Sequence, residues 1–531
     1  MKTHFQLLNM KHTTKIMVGL VGLGLMASCT DLVTKEIDSK VIVTDESGAT
    51  NIVAADALEG SYKALGAFAD QGSIYSLLEH TTDELIPPTR GVDWSDNGVW
   101  RSLYTHTWES SHSNINNAWN TLNQNAYNTQ YIMEAGGVTK QQVAEAKFLR
   151  AFNRYYVIDF WGVLPDRKTS EGVSVNPKVL TRSEGLAAIE KDLTEALVDL
   201  PTIPAGSVPQ PTASKAAANA MLSRLYLNKA VYTSAAPEGP YTFDATDMGK
   251  VIKYAKAVMD DGYALNANYF DNFKATGPST EVILTSIQGS PQNRVYMTLH
   301  YNQNPSGWNG FATLADFYGK FEDADKRKGI PAGQIPGLSF GVDPKDCTTC
   351  PHKYAGIGLG FLVGQQKDDT GADITDTRTG LPLQFTPDVP LSGAATNKGI
   401  RVMKYHPAFY DKYVLLRFAE VYLNMVEAKV RGGSDPSSPT TALEDINALR
   451  AIRGAAPLSS VSLDDVLDER GRELYWEGLR RIDLVRFQKF NAVWAEKGGN
   501  TDAYRVLYVI PQLAVDTNPN LKQNPGYAGS K

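Results

Sequence analysis

The sequence predicts a mainly α protein, built as antiparallel helical pairs forming a superhelical scaffold, with an irregular loop-rich excursion carrying short strands. Three observations predict it. Within 143–165, Leu149, Phe152, Tyr156 and Phe160 form one stripe at helical spacing, and Phe148, Tyr155 and Ile158 widen it. A stripe that wide belongs to a helix covered on more than one side. Further apolar stripes, separated by short joints, run through 51–262 and 411–531. Between 263 and 410 helical periodicity fades and Gly, Pro, Asn and Asp become frequent.

The chain opens with a short apolar run, Ile16 to Leu25, preceded by Lys11 and Lys15. It is too short to span a bilayer and has the pattern of a secretory signal. Met26, Ala27, Ser28 and Cys29 follow, and this junction resembles the lipobox of bacterial lipoproteins. On that reading 1–28 is a removed signal peptide, Cys29 is the lipidated residue, and 29–50 is a tether. Acidic residues soon after Cys29 resemble a surface-export signal. Losing three lysines and no acid moves the formal charge from -6 to -9. So acidic a chain is a poor partner for nucleic acid or anionic lipid. Tyr and Trp, with 25 and 8 copies, favour wet surfaces that hold a neutral ligand.

In 54–70, Leu58, Tyr62 and Leu65 make a stripe; in 115–135, Ile115, Trp119, Leu122 and Ala126 make another. Lys147, Arg150 and Arg154 occupy the remaining arc of the central helix, which Gly162 and Pro165 stop. Ser183 can cap a helix reaching Leu200, and Pro201, Pro204, Pro209 and Pro211 force a connection. Thr212 or Ser214 caps the next helix, to about Tyr232, and another begins at Val251. A strand is expected at 281–287. Helices return at Tyr413, with Arg417, Glu420, Asn424 and Glu427 as a polar stripe read as a paired buried network. Helices are expected over 441–453 and 463–490, the last stitched by Glu469 with Arg472, Glu477 with Arg481, and Asp483 with Arg486. The paired helices resemble tetratricopeptide repeats.

The run AEAKFLRAF followed by FWGVLPD resembles the long-helix signature of SusD/RagB-type outer-membrane lipoproteins. LLRFAEVYLNMVEA, INALRAIRG, VLDERGRELYWEGLRRIDLVRF and VIPQLAVDTNPNLKQNPGY resemble that family's C-terminal signature, in order. With the lipobox, the likeness spans Cys29 to Tyr527. It implies a lipid-anchored position at the outer-membrane cell surface and a SusC-like TonB-dependent transporter as partner. It implies capture of an oligosaccharide or another nutrient for import. A peptide-capturing member of the same family is the alternative, and a surface glycoside hydrolase a weaker one.

Two aromatic clusters are the candidate ligand contacts. In the loop 80–108, Trp94 and Trp100 sit among Pro, Gly and Asp. An indole can cover the C–H face of a sugar while polar groups satisfy its hydroxyls. Trp94 and Asn97 resemble the Trp and Asn that contact glycan in starch-binding family members; Arg90 and Asp96 are read as added polar contacts, and Trp100 as packing. In 293–311, Trp308 lies between polar residues and glycines and is read as a second ligand contact. Tyr296, upstream, suits either the ligand or the core. A hydrolase needs two carboxylates across a cleft, and only Asp83, Glu84, Asp93 and Asp96 cluster. Cys347 and Cys350 read as a short disulfide outside the cell, since zinc would want a second pair. The acidic run 368–376 lacks calcium-loop spacing and reads as a solvated loop. Neither metal nor cofactor is expected, and no catalytic residue is assigned.

Overall fold

The computed structural model describes residues 53–171, 174–207, 211–274, 277–287, 296–344, 347, 350–409 and 412–529. It also describes the short strands Val43–Thr44 and Thr50–Asn51, which pair antiparallel. The signal segment and Cys29 lie outside the described residues. No described helix is long and apolar enough to cross a membrane.

Helices form the largest part of the regular structure among the described residues, and the strands are few and short. The helix Lys140–Trp161 is buried almost all round from Ala144 onward, as its wide stripe requires. Thr139 caps it, accepting from the Gln142 N–H while Gln142 answers the Thr139 N–H. Gly162 closes it in a left-handed conformation. The helices Ser113–Glu134 and Arg182–Asp199 pack on it. Thr181, not Ser183, caps Arg182–Asp199, because the Thr181–Glu184 pair completes a reciprocal box. Ser214 caps Lys215–Leu227.

Polar rivets join these helices. Arg224 grips Glu420 of the helix Phe418–Val430 through two bonds of 2.5 and 2.6 Å, and donates to the Tyr156 hydroxyl at 2.8 Å. Arg481 donates to Asp159 at 2.6 Å. Beneath the C-terminal helices lies a denser lattice. Glu473 receives Arg327, Arg417 and Arg453; Glu281 receives Arg417 and Arg453; Glu469 receives Arg327 and Arg450. Every one of these side chains is buried. Burial alone would raise the Glu473 pKa, but the three guanidinium groups outweigh it and hold the carboxyl well below its ordinary value.

Two sequence expectations fail here. Arg417 is not on a helix: it ends the strand Val414–Arg417, which pairs antiparallel with Val282–Thr285. The stretch 463–490 is not one helix. It is Leu463–Leu474 and Arg480–Arg486, broken where Trp476 and Gly478 take φ of 57° and 78°. The pairs Glu469–Arg472 and Asp483–Arg486 form at 2.7 and 2.6 Å. Glu477 lies in the break and turns instead to Lys404 and Arg417.

The excursion carries its own small core. Leu299, Ile357, Leu362, Ile374, Leu383, Phe385 and Met403 pack together. Over it runs a three-stranded antiparallel sheet, Arg401–Met403 beside Leu359–Leu362 beside Gly329–Ile330. Cys347 and Cys350 are disulfide-bonded. The run 368–376 is not wholly solvated, since Asp376 is buried.

Candidate functional site

Three segments distant in sequence are stitched side by side. Ile86 bridges Ala312, and Thr313 bridges Ile400. These links bring the loop around Trp94, the loop around Trp308 and the turn at 395–399 to the rim of one cleft of about 500 Å³.

The first loop begins as a tight turn. Arg90 and Asp93 exchange both backbone N–H···O bonds, at 3.0 and 3.1 Å, across Gly91. Trp94, Asp96 and Asn97 then take φ of 62°, 35° and 53°, a conformation that side chains with a Cβ rarely adopt. Such a cluster holds only where surrounding contacts over-determine it. The Trp94 indole supplies them. Its N–H donates to the Trp308 carbonyl at 2.9 Å, and its ring lies 4.8 Å from the Phe311 ring. Its close approach needs Gly310, where a Cβ would sit 2.4 Å from the indole.

The second loop presents Trp308 half exposed, at 50%. Its backbone N–H donates to Tyr296, whose ring stacks on the Trp308 indole at 5.8 Å and 28°. Asn309, with φ 53°, turns inward: its amide donates to the Thr396 carbonyl at 2.9 Å and accepts from Arg401 at 2.6 Å. Trp94, half-buried, and Trp308 are therefore neighbours across one cleft, and neither is interred.

Two buried arginines hold the third side. Arg90 donates to the carbonyls of Ala395, Lys398 and Gly310; Arg401 donates to those of Thr396, Lys398 and Gly399. Burial lowers the Arg90 pKa to about 9 and the Arg401 pKa well below its ordinary value. Arg90 lines the cleft, but its guanidinium serves the loop backbone, which corrects its reading as a polar ligand contact. Behind this wall Asp376 accepts from Tyr301 at 2.8 Å and from Thr396. His300 lies 3.8 Å from the same carboxylate, and burial lowers its pKa to about 4.

Of the sequence candidates, Trp94, Asp96, Trp308 and Arg90 line the cleft, and Tyr296 backs Trp308. Asp96 accepts the Trp100 indole N–H at 2.6 Å, and Trp100 is buried against Phe311 and His80. Asn97 is exposed and outside the lining. Of the four clustered carboxylates, only Asp93 and Asp96 reach the cleft. Asp83 pairs with Arg480, and buried Glu84 accepts the Trp476 N–H at 3.0 Å. Sequence reasoning missed Arg378, whose guanidinium lies 4.0 Å over the Tyr301 ring and 3.5 Å from Asp93, and missed Thr396. No local motif marks either. Among the described residues no cluster of His, Cys, Asp and Glu could hold a metal ion.

Two family models match this chain. One, described as the SusD family, matches residues 280–527; the other, described as starch-binding associating with outer membrane, matches 63–227. The chain is 29% identical over 436 residues to the starch-binding protein SusD of Bacteroides thetaiotaomicron, covering 73% of each chain. A SusD-like protein from Bacteroides fragilis has the same fold at TM-score 0.66 and 20% identity, over 93% of this chain and 99% of that one. So does the surface glycan-binding protein A of Bacteroides thetaiotaomicron, solved with laminarihexaose, at TM-score 0.62 and 17% identity, over 89% and 98%.

Proposed function

The chain belongs to the SusD/RagB family, and from that premise we propose that it captures glycan at the cell surface and passes it to a SusC-like TonB-dependent transporter. In this reading Cys29 carries the lipid that anchors it to the outer membrane. It acts by binding and breaks no bond.

One observation carries the reading: Trp308, half exposed and stacked on Tyr296, shares a cleft with Trp94. Flat rings suit the C–H faces of pyranose rings, and Asp93, Arg378 and Thr396 stand where hydroxyls need partners. The matched relative is named as starch-binding, and one structural neighbour was solved with a glucan oligosaccharide. Both names agree with a neutral, ring-faced ligand.

The test is a glycan array followed by titration of the best binder. Trp308→Ala and Trp94→Ala are each expected to weaken binding tenfold or more, about 1.4 kcal/mol. Affinity unchanged in both variants would overturn the site. New reducing ends after incubation with polysaccharide would overturn the binding-only reading. Capture of peptides with no glycan bound would overturn the ligand class.

A further inference from the structure

A larger groove, about 670 Å³, lies on other elements. It runs along the helix Ser113–Glu134 and against the hairpin Val163–Asp166 and Lys178–Thr181, with Arg154 of the central helix in its wall.

The composition of that helix is unusual. Of its 22 residues only the last, Glu134, is charged, while nine are Asn or Gln. Asn is a poor helix former, and a solvated helix face ordinarily carries Lys and Glu. The amides concentrate toward the groove: Asn120, Asn123, Gln124, Asn125 and Gln130 all line it. Two of the lining groups are buried with an unused donor. Asn125 is 8% exposed and its Nδ2 has no partner; Arg154 is 4% exposed and its Nε has none. A buried donor left without an acceptor is costly, because burial removes the water it would otherwise bond. Both donors sit just behind the groove wall, while the amides of Asn120, Asn123 and Gln124 face outward from the same helix.

The chemistry narrows the occupant. No carboxylate lines the groove, so a divalent cation finds no hard oxygen charge there. An amide presents a donor and an acceptor side by side, the pattern that matches a hydroxyl, which is also both. The half-buried Tyr127 ring and the faces of Pro165 and Pro177 supply apolar walls between the amides. We propose that this groove is a second carbohydrate subsite, taking a short run of neutral sugar residues. It stands on residues separate from the aromatic cleft, so either site can fail without the other. Two subsites on one chain would raise the avidity for a long polysaccharide without any new contact at the first.

Hydrogen exchange of the full chain, alone and with maltoheptaose, laminarihexaose, cellohexaose and mannohexaose, tests it. At least one of these is expected to protect the helix Ser113–Glu134, and to do so equally in a Trp94→Ala/Trp308→Ala variant that lacks the first cleft. Asn125→Leu should abolish that protection while leaving the binding lost with Trp308→Ala intact. Because Asn125 is buried, the exposed pair Asn120→Ala/Gln124→Ala is the second variant, expected to weaken protection at least fivefold in ligand concentration. No protection of this helix by any of the four sugars overturns the proposal. So does protection by tri-alanine with none by the sugars, which would make the groove a peptide site.

Discussion

Two sets of buried arginines do different work in this protein. Under the C-terminal helices, Arg327, Arg417 and Arg453 meet carboxylates, and Glu473 gathers all three. Beside the cleft, Arg90 and Arg401 meet mainly backbone carbonyls, with the Asn309 side chain as the added acceptor. Charge paired with charge joins one helix to another and fixes the scaffold. Charge paired with carbonyl dipoles gathers the turn at 395–399, and so fixes the rim of the cleft. The lattice should govern whether the chain folds, and the carbonyl set what the folded chain can hold.

Glu473→Leu should have the largest effect. It leaves three guanidinium groups short of a partner in the interior, and loss of one partner of a buried pair costs about 3–5 kcal/mol. Chemical denaturation should show a loss at the upper end of that range. A loss under about 1 kcal/mol would mean that the lattice does not hold the scaffold. Arg401→Met comes next. It removes the donors that gather Thr396, Lys398 and Gly399, at about 1.5–3 kcal/mol for a hydrogen bond to a charged group. Here glycan affinity should fall with stability, whereas mild lattice variants that still fold should bind normally. Gly310→Ala should cost about 1–2 kcal/mol by overpacking against Trp94 and should weaken glycan binding as Trp94→Ala does.

Acid should separate the two regions most gently. His300 is held neutral, with its pKa lowered by burial to about 4 against ~6.5 when unfolded. Its contribution is complete above pH ~6.5 and is lost as pH falls through 4. Glu469 is buried, which raises its pKa, but Arg327, Arg472 and Arg450 outweigh this and leave it at about 2. Its contribution is complete above the unfolded value of ~4.3 and is lost only as pH falls through 2. Glycan binding should therefore weaken in mild acid before far-ultraviolet circular dichroism reports loss of helix. Loss of helix first would reverse the assignment of roles.

What could be read from residues alone follows the range of the forces involved. The helices were legible because their signals are local: the stripe through Leu149, Phe152, Tyr156 and Phe160 falls on Lys140–Trp161, and Ser214 caps Lys215–Leu227. Trp94 and Trp308 were legible because a large ring in a polar loop needs a reason. Arg378 and Thr396 were not, since long-range bonds bring their segments near the indoles: Tyr301 to Asp376 for the one, and Arg90 and Asn309 to the turn at 395–399 for the other. The break at Trp476 was hidden because charge pairs at helical spacing continue through it. Arg90 was misread for a related reason: the carbonyls that claim it lie about three hundred residues away.

The Trp94 indole has only one hydrogen to give, and the Trp308 carbonyl already takes it. Whatever rests on that ring meets a surface that senses which sugar face is free of axial hydroxyls but offers no hydrogen bond of its own. In the proposed glycan site, hydroxyls turned away from the ring would be read by Asp93, Arg378 and Thr396, which line the same cleft. Related chains could change diet by altering those three side chains while leaving both indoles untouched.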